Sequence, residues 1–222
     1  MFENCTESYS SWIAVHFCEG GFVMLLIGAI FLMTLFLIIE RFMALSKLAV
    51  DKGNVSSNIR GMLLRGDVRQ AITFCDKTPA PLTNTIQAGL VQVLNRRPDE
   101  EVQVAMDAAV LRESPRLEGW VSFLAVFGNV AVLVGLLGTI IGMMTAFSGV
   151  ADADQAAKAI ILASGISEAL NCTAFGLFTA IIAIVAYGFF QIRISRATND
   201  MLETSMDVMN LVTANRDKIQ RT

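Results

Sequence analysis

The sequence predicts an all-α integral membrane protein, with three transmembrane helices, long cytoplasmic helical extensions and a small helical cytoplasmic segment. Three observations carry this prediction. First, residues 119–151 hold no Asp, Glu, Lys, Arg or His, and as a helix such a run is about 50 Å long, against roughly 30 Å for a hydrocarbon core. Second, residues 21–39 and 169–190 are also long and apolar enough to span. Third, 54% of the 222 residues are hydrophobic and the mean hydropathy is +0.57, values suited to a chain dissolved in lipid. Helices follow because open strands would leave backbone polar groups unpaired in the bilayer.

Basic residues set the expected orientation. Of the 17 Lys and Arg, none precedes residue 21 and only Lys158 lies between the second and third spans. The positive-inside rule then puts the N-terminus outside and both basic regions in the cytoplasm. The net charge of −3 says less than this distribution; nothing in the chain suggests a nucleic-acid surface, and no nucleic-acid partner is expected. The chain divides as residues 1–20, an outer or interfacial segment; 21–41, span one; 42–119, the cytoplasmic segment; 120–147, span two; 148–160, a short outer loop; 161–192, span three; and 193–222, a cytoplasmic C-terminal helix.

The first segment carries three Glu and no Lys or Arg, and the apolar stretch after it lacks a clear small-residue cleavage site. This argues for a retained first span over a removable signal peptide. Trp12 and Phe17 suit the headgroup layer. His16 has no evident partner for a ligand role. Cys5 and Cys18 fall on the side where a disulfide is permitted, Cys75 in reducing cytosol and Cys172 in the membrane. No cysteine pair has metal-ligand spacing, and no cofactor is expected.

Span one ends abruptly at Glu40 and Arg41. It is rich in Leu, Ile and Phe and poor in small residues, so it is expected to be a supporting helix and the most lipid-exposed of the three. In the cytoplasmic segment, Val55, Ile59, Met62 and Leu63 form a stripe ending near Gly66. Asp67 is placed as the N-cap of a helix burying Val68, Ala71, Ile72 and Cys75. Residues 78–81 break it, and Leu82, Ile86, Gly89, Leu90 and Val93 make the next stripe. Pro98 with Asp99, Glu100 and Glu101 starts a further helix leading toward span two, which Pro115 is expected to kink or interrupt. This segment has too little core for an independent enzyme domain. It is expected to pack on extensions of the spans and on neighbouring subunits, with Leu202, Met206, Met209 and Thr213 continuing a stripe along the tail.

In span two, Gly128, Ala131, Gly135, Gly138, Thr139, Gly142 and Ala146 recur at three- and four-residue steps. One small-residue stripe of this kind lets another helix approach closely, which lipid does not require. Span three offers a small face of Ala169, Thr173, Gly176 and Ala180, with Glu168, Cys172 and Thr179 beside it. Gly135, Gly138, Gly142 and Gly176 are the candidates for helix packing and for facing a partner. Thr139 and Thr173 fall near a shared interior, although intramembrane Thr often bonds only its own helix. Glu168 is the single charge between Lys158 and Arg193. A carboxylate at the bilayer centre costs about 2.5 to 3.5 kcal/mol, so it either faces an ion path or sits at the outer interface.

These stretches carry a resemblance. GLLGTIIGMMTAF in span two, ISEALNCTAFGLFTAIIAIVAY in span three, IIERF at the end of span one and GDVRQAITFCDKTPAPL in the cytoplasmic segment resemble the MotA/TolQ/ExbB family, most closely its ExbB/TolQ branch. The flagellar branch, with four spans and a larger cytoplasmic domain, is a poorer match. The resemblance implies a non-enzymatic proton-channel subunit of a bacterial inner-membrane motor, with the N-terminus periplasmic, coupling the proton motive force to work on the envelope. It also implies a homo-oligomeric ring, a pentamer in the family, around an ExbD/TolR-like single-span partner, with a TonB- or TolA-like transducer beyond. By the same resemblance Thr139 and Thr173 match the polar residues facing the pore, and Glu168 the acid of the third span. Val132 and Ile182 stand where the family commonly has Pro, which bears on helix bends there.

With no Asp in the spans, the cycling carboxylate is expected on the partner's helix, hydrated or hydrogen-bonded by Thr139 and Thr173. The membrane potential supplies about 2.3 kcal/mol per charge per 100 mV. The competing reading is a non-conducting scaffold that depends on the glycine stripe alone. An intramembrane enzyme is a third, with neither a zinc cluster, a phosphate-binding loop nor a nucleophile paired to a base.

Overall fold

The computed structural model describes residues 21–48, 52–151 and 154–216. The expectations for Trp12, His16, Phe17 and a Cys5–Cys18 disulfide fall outside those residues. Regular structure among the described residues is all α-helical: α1 (Gly21–Leu48), α2 (Lys52–Arg65), α3 (Val68–Lys77), α4 (Pro81–Leu94), α5 (Asp99–Glu118), α6 (Val121–Ala151) and α7 (Gln155–Ala214). Three helices, α1, α6 and α7, contain stretches long and apolar enough to cross a membrane. The expected fold class is the observed one. The chain divides into two compact units, one of residues up to Glu40 with Trp120–Gly188, the other of Arg41–Gly119 with Phe189 onward.

The second unit is built from short helices whose boundaries have local causes. At the end of α2 the Gly66 N–H donates to Leu63 O at 3.0 Å and the Asp67 N–H to Met62 O at 3.1 Å, with Gly66 at φ +86°. This is a Schellman closure, which needs a left-handed residue and finds glycine. The same pattern recurs after α4, where Arg96 donates to Val93 O and Arg97 to Gln92 O, but here Arg96 itself adopts φ +56°. Asp67 does stand at the N-cap of α3, yet its side chain makes no capping bond. The start of α4 is held by Thr83, whose Oγ1 accepts the Ala80 N–H at 2.9 Å and donates to Thr78 O at 2.6 Å.

Pro115 lies inside α5, which continues to Glu118. The break comes at Gly119 instead, with φ +38°. A proline in a helix loses the bond its N–H would make to the carbonyl four residues back, and its ring crowds that carbonyl; α5 nevertheless runs three residues past it. That left-handed φ is what favours glycine at 119, and a Cβ there would also meet the buried Arg41 guanidinium.

The core of this unit follows the predicted stripes: Val55, Ile59 and Leu63 of α2; Val68, Ala71 and Cys75 of α3; Leu82, Ile86 and Leu90 of α4. In α5, Val102, Met106, Ala109, Val110, Glu113 and Leu117 face inward. Glu113 is tolerated there because Arg116 Nη1 at 2.9 Å and Asn84 Nδ2 at 3.3 Å donate to it. Gly89 lets α4 meet the side chain of Met106, which a Cβ would strike.

The expected tail stripe is not the face that α7 turns inward within this chain. α7 buries Met201, Thr204, Ser205, Val208 and Val212, while Met206 is 63% exposed and Leu202 36%. Ser205 can be buried because its hydroxyl donates to Met201 O at 2.7 Å, four residues back. Two hydroxyl residues thus disguise the inward face as polar. The segment does pack on the extension of the third span, as expected: Lys52 pairs with Asp200 and Glu203, Thr85 Oγ1 meets Met201 Sδ at 3.5 Å, and Arg216 pairs with Asp99.

Burial, reinforced by the neighbouring Asp76 charge, pushes the Cys75 thiol up from 9.0 to about 11. The unfolded chain therefore releases this proton before the folded one does, and folding stability falls as pH rises between those values. A maleimide at pH 8 is expected to leave Cys75 unmodified in the native protein and to label it in denaturant, as peptide mass mapping will show.

Candidate functional site

The first unit is organised by the approach of α6 and α7. The buried residues of α6 are Gly128, Ala131, Gly135, Gly138, Gly142 and Ala146 with Val121 and Leu124, the small stripe of the sequence. Opposite it α7 buries Gly165, Ala169, Cys172, Gly176, Thr179, Ala180 and Ala183. A Cβ on Gly176 would stand 2.7 Å from the Ala131 carbonyl oxygen and 3.1 Å from Gly135 Cα; one on Gly135 would stand 3.1 Å from Cys172 O. Gly142 faces Ala169, Gly128 faces Ala183 and Ile184, and Gly165 faces Ala146. As the numbers climb along one helix they fall along the other, so the pair is antiparallel in constant register.

All four glycines expected to serve packing or a partner, Gly135, Gly138, Gly142 and Gly176, lie in this seam. The face they line is occupied by the chain's own neighbouring helix. Cys172 belongs to the packed face rather than beside it, and Thr173 sits half-buried at its edge. Where α1 begins it packs on the same seam: Val23, Met24, Ile27 and Cys172 form one cluster with Val134 and Phe175 against it. Further along, Phe31 meets Phe178 with ring centroids 6.1 Å apart. Within the chain 28% of the most apolar stretch of α1 is buried, the same share as in the second span. Both α6 and α7 run unbroken through Val132 and Ile182.

The polar residues cluster along this seam. Thr173 Oγ1 donates to Gly135 O at 3.3 Å, crossing from α7 to α6. Thr139, also half-buried, donates to Leu136 O in its own helix and borders a shallow depression with Met143, Met144 and Phe147. The register sets Thr139 within about one turn of Thr173, and Glu168, half-buried at the level of Gly142, lies roughly 7.5 Å further along α7. Sequence reasoning passed over Asn129, an exposed amide among exposed Val126, Val130 and Leu133 of α6. Its signal was available, as a lone amide in an uncharged span. Among the described residues no group of three or more His, Cys, Asp or Glu could hold a metal ion.

The sequence profile of the MotA/TolQ/ExbB proton channel family matches residues 77–203, from the end of α3 through both helices of the seam. The chain belongs to this family. Within it the similarity is to the ExbB/TolQ branch. The Tol-Pal system protein TolQ of Pseudomonas aeruginosa is 47% identical over 94 residues, 42% of this chain and 40% of that protein. The biopolymer transport protein ExbB of Pseudomonas putida is 34% identical over 118 residues, 53% of this chain and 36% of the relative. ExbB of Neisseria meningitidis serogroup A is 29% identical over 194 residues, 82% and 86% of the two. The chain thus spans less than half the length of the first two relatives. As a MotA/TolQ/ExbB family member with three span-length apolar helices, it is a membrane protein.

The seam makes a stability prediction. Gly176→Ala forces a Cβ into backbone atoms that cannot rotate away, and is expected to destabilise by about 1 to 3 kcal/mol. Gly61→Ala, where nothing lies within 4 Å, is expected to stabilise α2 by about 1 kcal/mol. Thermal unfolding of the detergent-solubilised variants checks the opposite signs.

Proposed function

We propose that this chain is the ring-forming, non-enzymatic subunit of a bacterial inner-membrane proton-channel motor, working with an ExbD/TolR-like single-span partner. The observation that carries the reading is the family match over residues 77–203, which contains α6, the seam-forming part of α7 and all three candidate polar residues. In the ring, a pentamer by the resemblance, the exposed faces of α6 and α7 meet other copies, lipid and the partner's helix. The N-terminus lies in the periplasm and the basic regions in the cytoplasm, with a TonB- or TolA-like transducer receiving the output.

The hydrogen bonds give the Thr residues a specific role. Each hydroxyl has spent its proton on a backbone carbonyl, Thr139 on Leu136 and Thr173 on Gly135. What remains on each oxygen is acceptor capacity. Such oxygens suit a protonated carboxylic acid or a water that donates to them, and so would hold a partner's carboxyl in its neutral state while it moves through the seam's level. Glu168 would then set the negative potential at one end of that path. A second reading, the non-conducting scaffold, draws on the same two bonds, since both are also purely structural contacts.

Thr139→Val and Thr173→Val separate the readings. Each is expected to abolish proton-dependent work in cells while the complex with the partner still purifies intact, and Thr→Ser at either site is expected to restore part of the activity. Full output from both Val variants would leave the scaffold as the better account.

A further inference from the structure

The second unit holds a cleft of about 280 Å³ whose lining includes Lys52, Arg193, Arg196 and Asp200 beside apolar walls from Leu82 and Leu117. Lys52 is committed: its ammonium lies 2.8 Å from Asp200 and 2.6 Å from Glu203. These acids raise its pKa, chiefly through those hydrogen bonds. Arg193 and Arg196 differ from it. They stand three residues apart on one face of α7, both exposed, and among the described residues neither forms an ion pair. Arg193 is steadied by the Phe189 ring, 5.2 Å from its guanidinium carbon, which fixes it without neutralising it. Counting both acids, the cluster keeps one positive charge in excess.

We propose that this cleft binds a phosphate group, and that the source is the headgroup of an anionic phospholipid. Two guanidiniums one turn apart offer planar, paired donors that match phosphate oxygens. The apolar edge that Leu82 and Leu117 lend the cleft is narrow, since both are nearly buried; it suits the glycerol end of a lipid and is idle for a free inorganic ion. The place in the chain agrees: Arg193 is the first charged residue after Glu168, so the arginines follow directly on an apolar span. Basic clusters at such positions attract anionic lipids by about 1 kcal/mol per charge near the surface. This site is separate from the Thr139, Thr173 and Glu168 path and does not rest on the proton-channel reading.

The test uses the full-length purified chain in neutral detergent, titrated with phosphatidylglycerol, phosphatidylcholine or inorganic phosphate. Thermal unfolding and native mass spectrometry are the readouts. Phosphatidylglycerol is expected to raise the unfolding temperature by a few degrees and to remain as a bound mass. Phosphatidylcholine and inorganic phosphate are expected to do neither. Arg193→Gln with Arg196→Gln should weaken phosphatidylglycerol retention about tenfold or more, while Arg112→Gln, an exposed arginine elsewhere, should leave it unchanged. If the double variant fails to fold by circular dichroism, Arg196→Gln alone carries the test, since among the described residues its side chain makes no ion pair to lose. Equal retention by the arginine variants, or an equal response to phosphatidylcholine, overturns the site. A shift from inorganic phosphate as large as that from phosphatidylglycerol overturns the lipid assignment.

Discussion

Everything in the first unit depends on backbone meeting backbone between α6 and α7. In lipid there is no water to expel, so two helices gain by dispersion contact and by carbonyl contacts that only close approach permits. Gly135 and Gly176 supply that approach, each leaving room for the other's main chain. The consequence for the Thr residues is direct. Thr173 can reach the Gly135 carbonyl across the interface only because no side chain stands between them. A packing requirement and a polar feature therefore share the same residues, and a change to the seam is also a change to the candidate path.

The second unit solves a different problem. Its helices are short, and short helices are marginal alone. They gain order by sequential packing, α2 on α3, α3 on α4 and α4 on α5, and by fastening to the C-terminal part of α7 at both ends, through Lys52 with Asp200 and through Asp99 with Arg216. Exposed pairs of this kind contribute little singly. Their value is in fixing register along a helix whose buried face, with Thr204 and Ser205 among Met201, Val208 and Val212, is less apolar than an ordinary core.

Membership of the MotA/TolQ/ExbB family and the geometry of the seam bear on each other. The profile match begins near the end of α3 and ends within the fastened part of α7, so it covers α4, α5, α6 and most of α7, and leaves out α1 and α2. The apolar faces of α6 and α7, from Leu133 to Phe147 and from Leu170 to Val185, are left exposed by the chain's own packing. Asn129 adds an exposed amide one turn before the first of these faces.

The sequence by itself determined the three spans, the helical class and the small-residue stripe of α6, because each depends on local composition and on the 3.6-residue period. It also determined the stripes of α2, α3 and α4 for the same reason. Tertiary structure alone decided what each face meets. That the glycines serve α7 of the same chain, that Cys172 packs while Thr173 stands at the edge, and that the tail turns Met201 and Ser205 inward in place of Met206 are matters of rotation about a helix axis. An error of one residue there is about 100°. The break at Gly119 rather than Pro115 was hidden likewise: Gly119 adopts a positive φ, beside an Arg41 guanidinium that is far away in sequence and adjacent only in the fold.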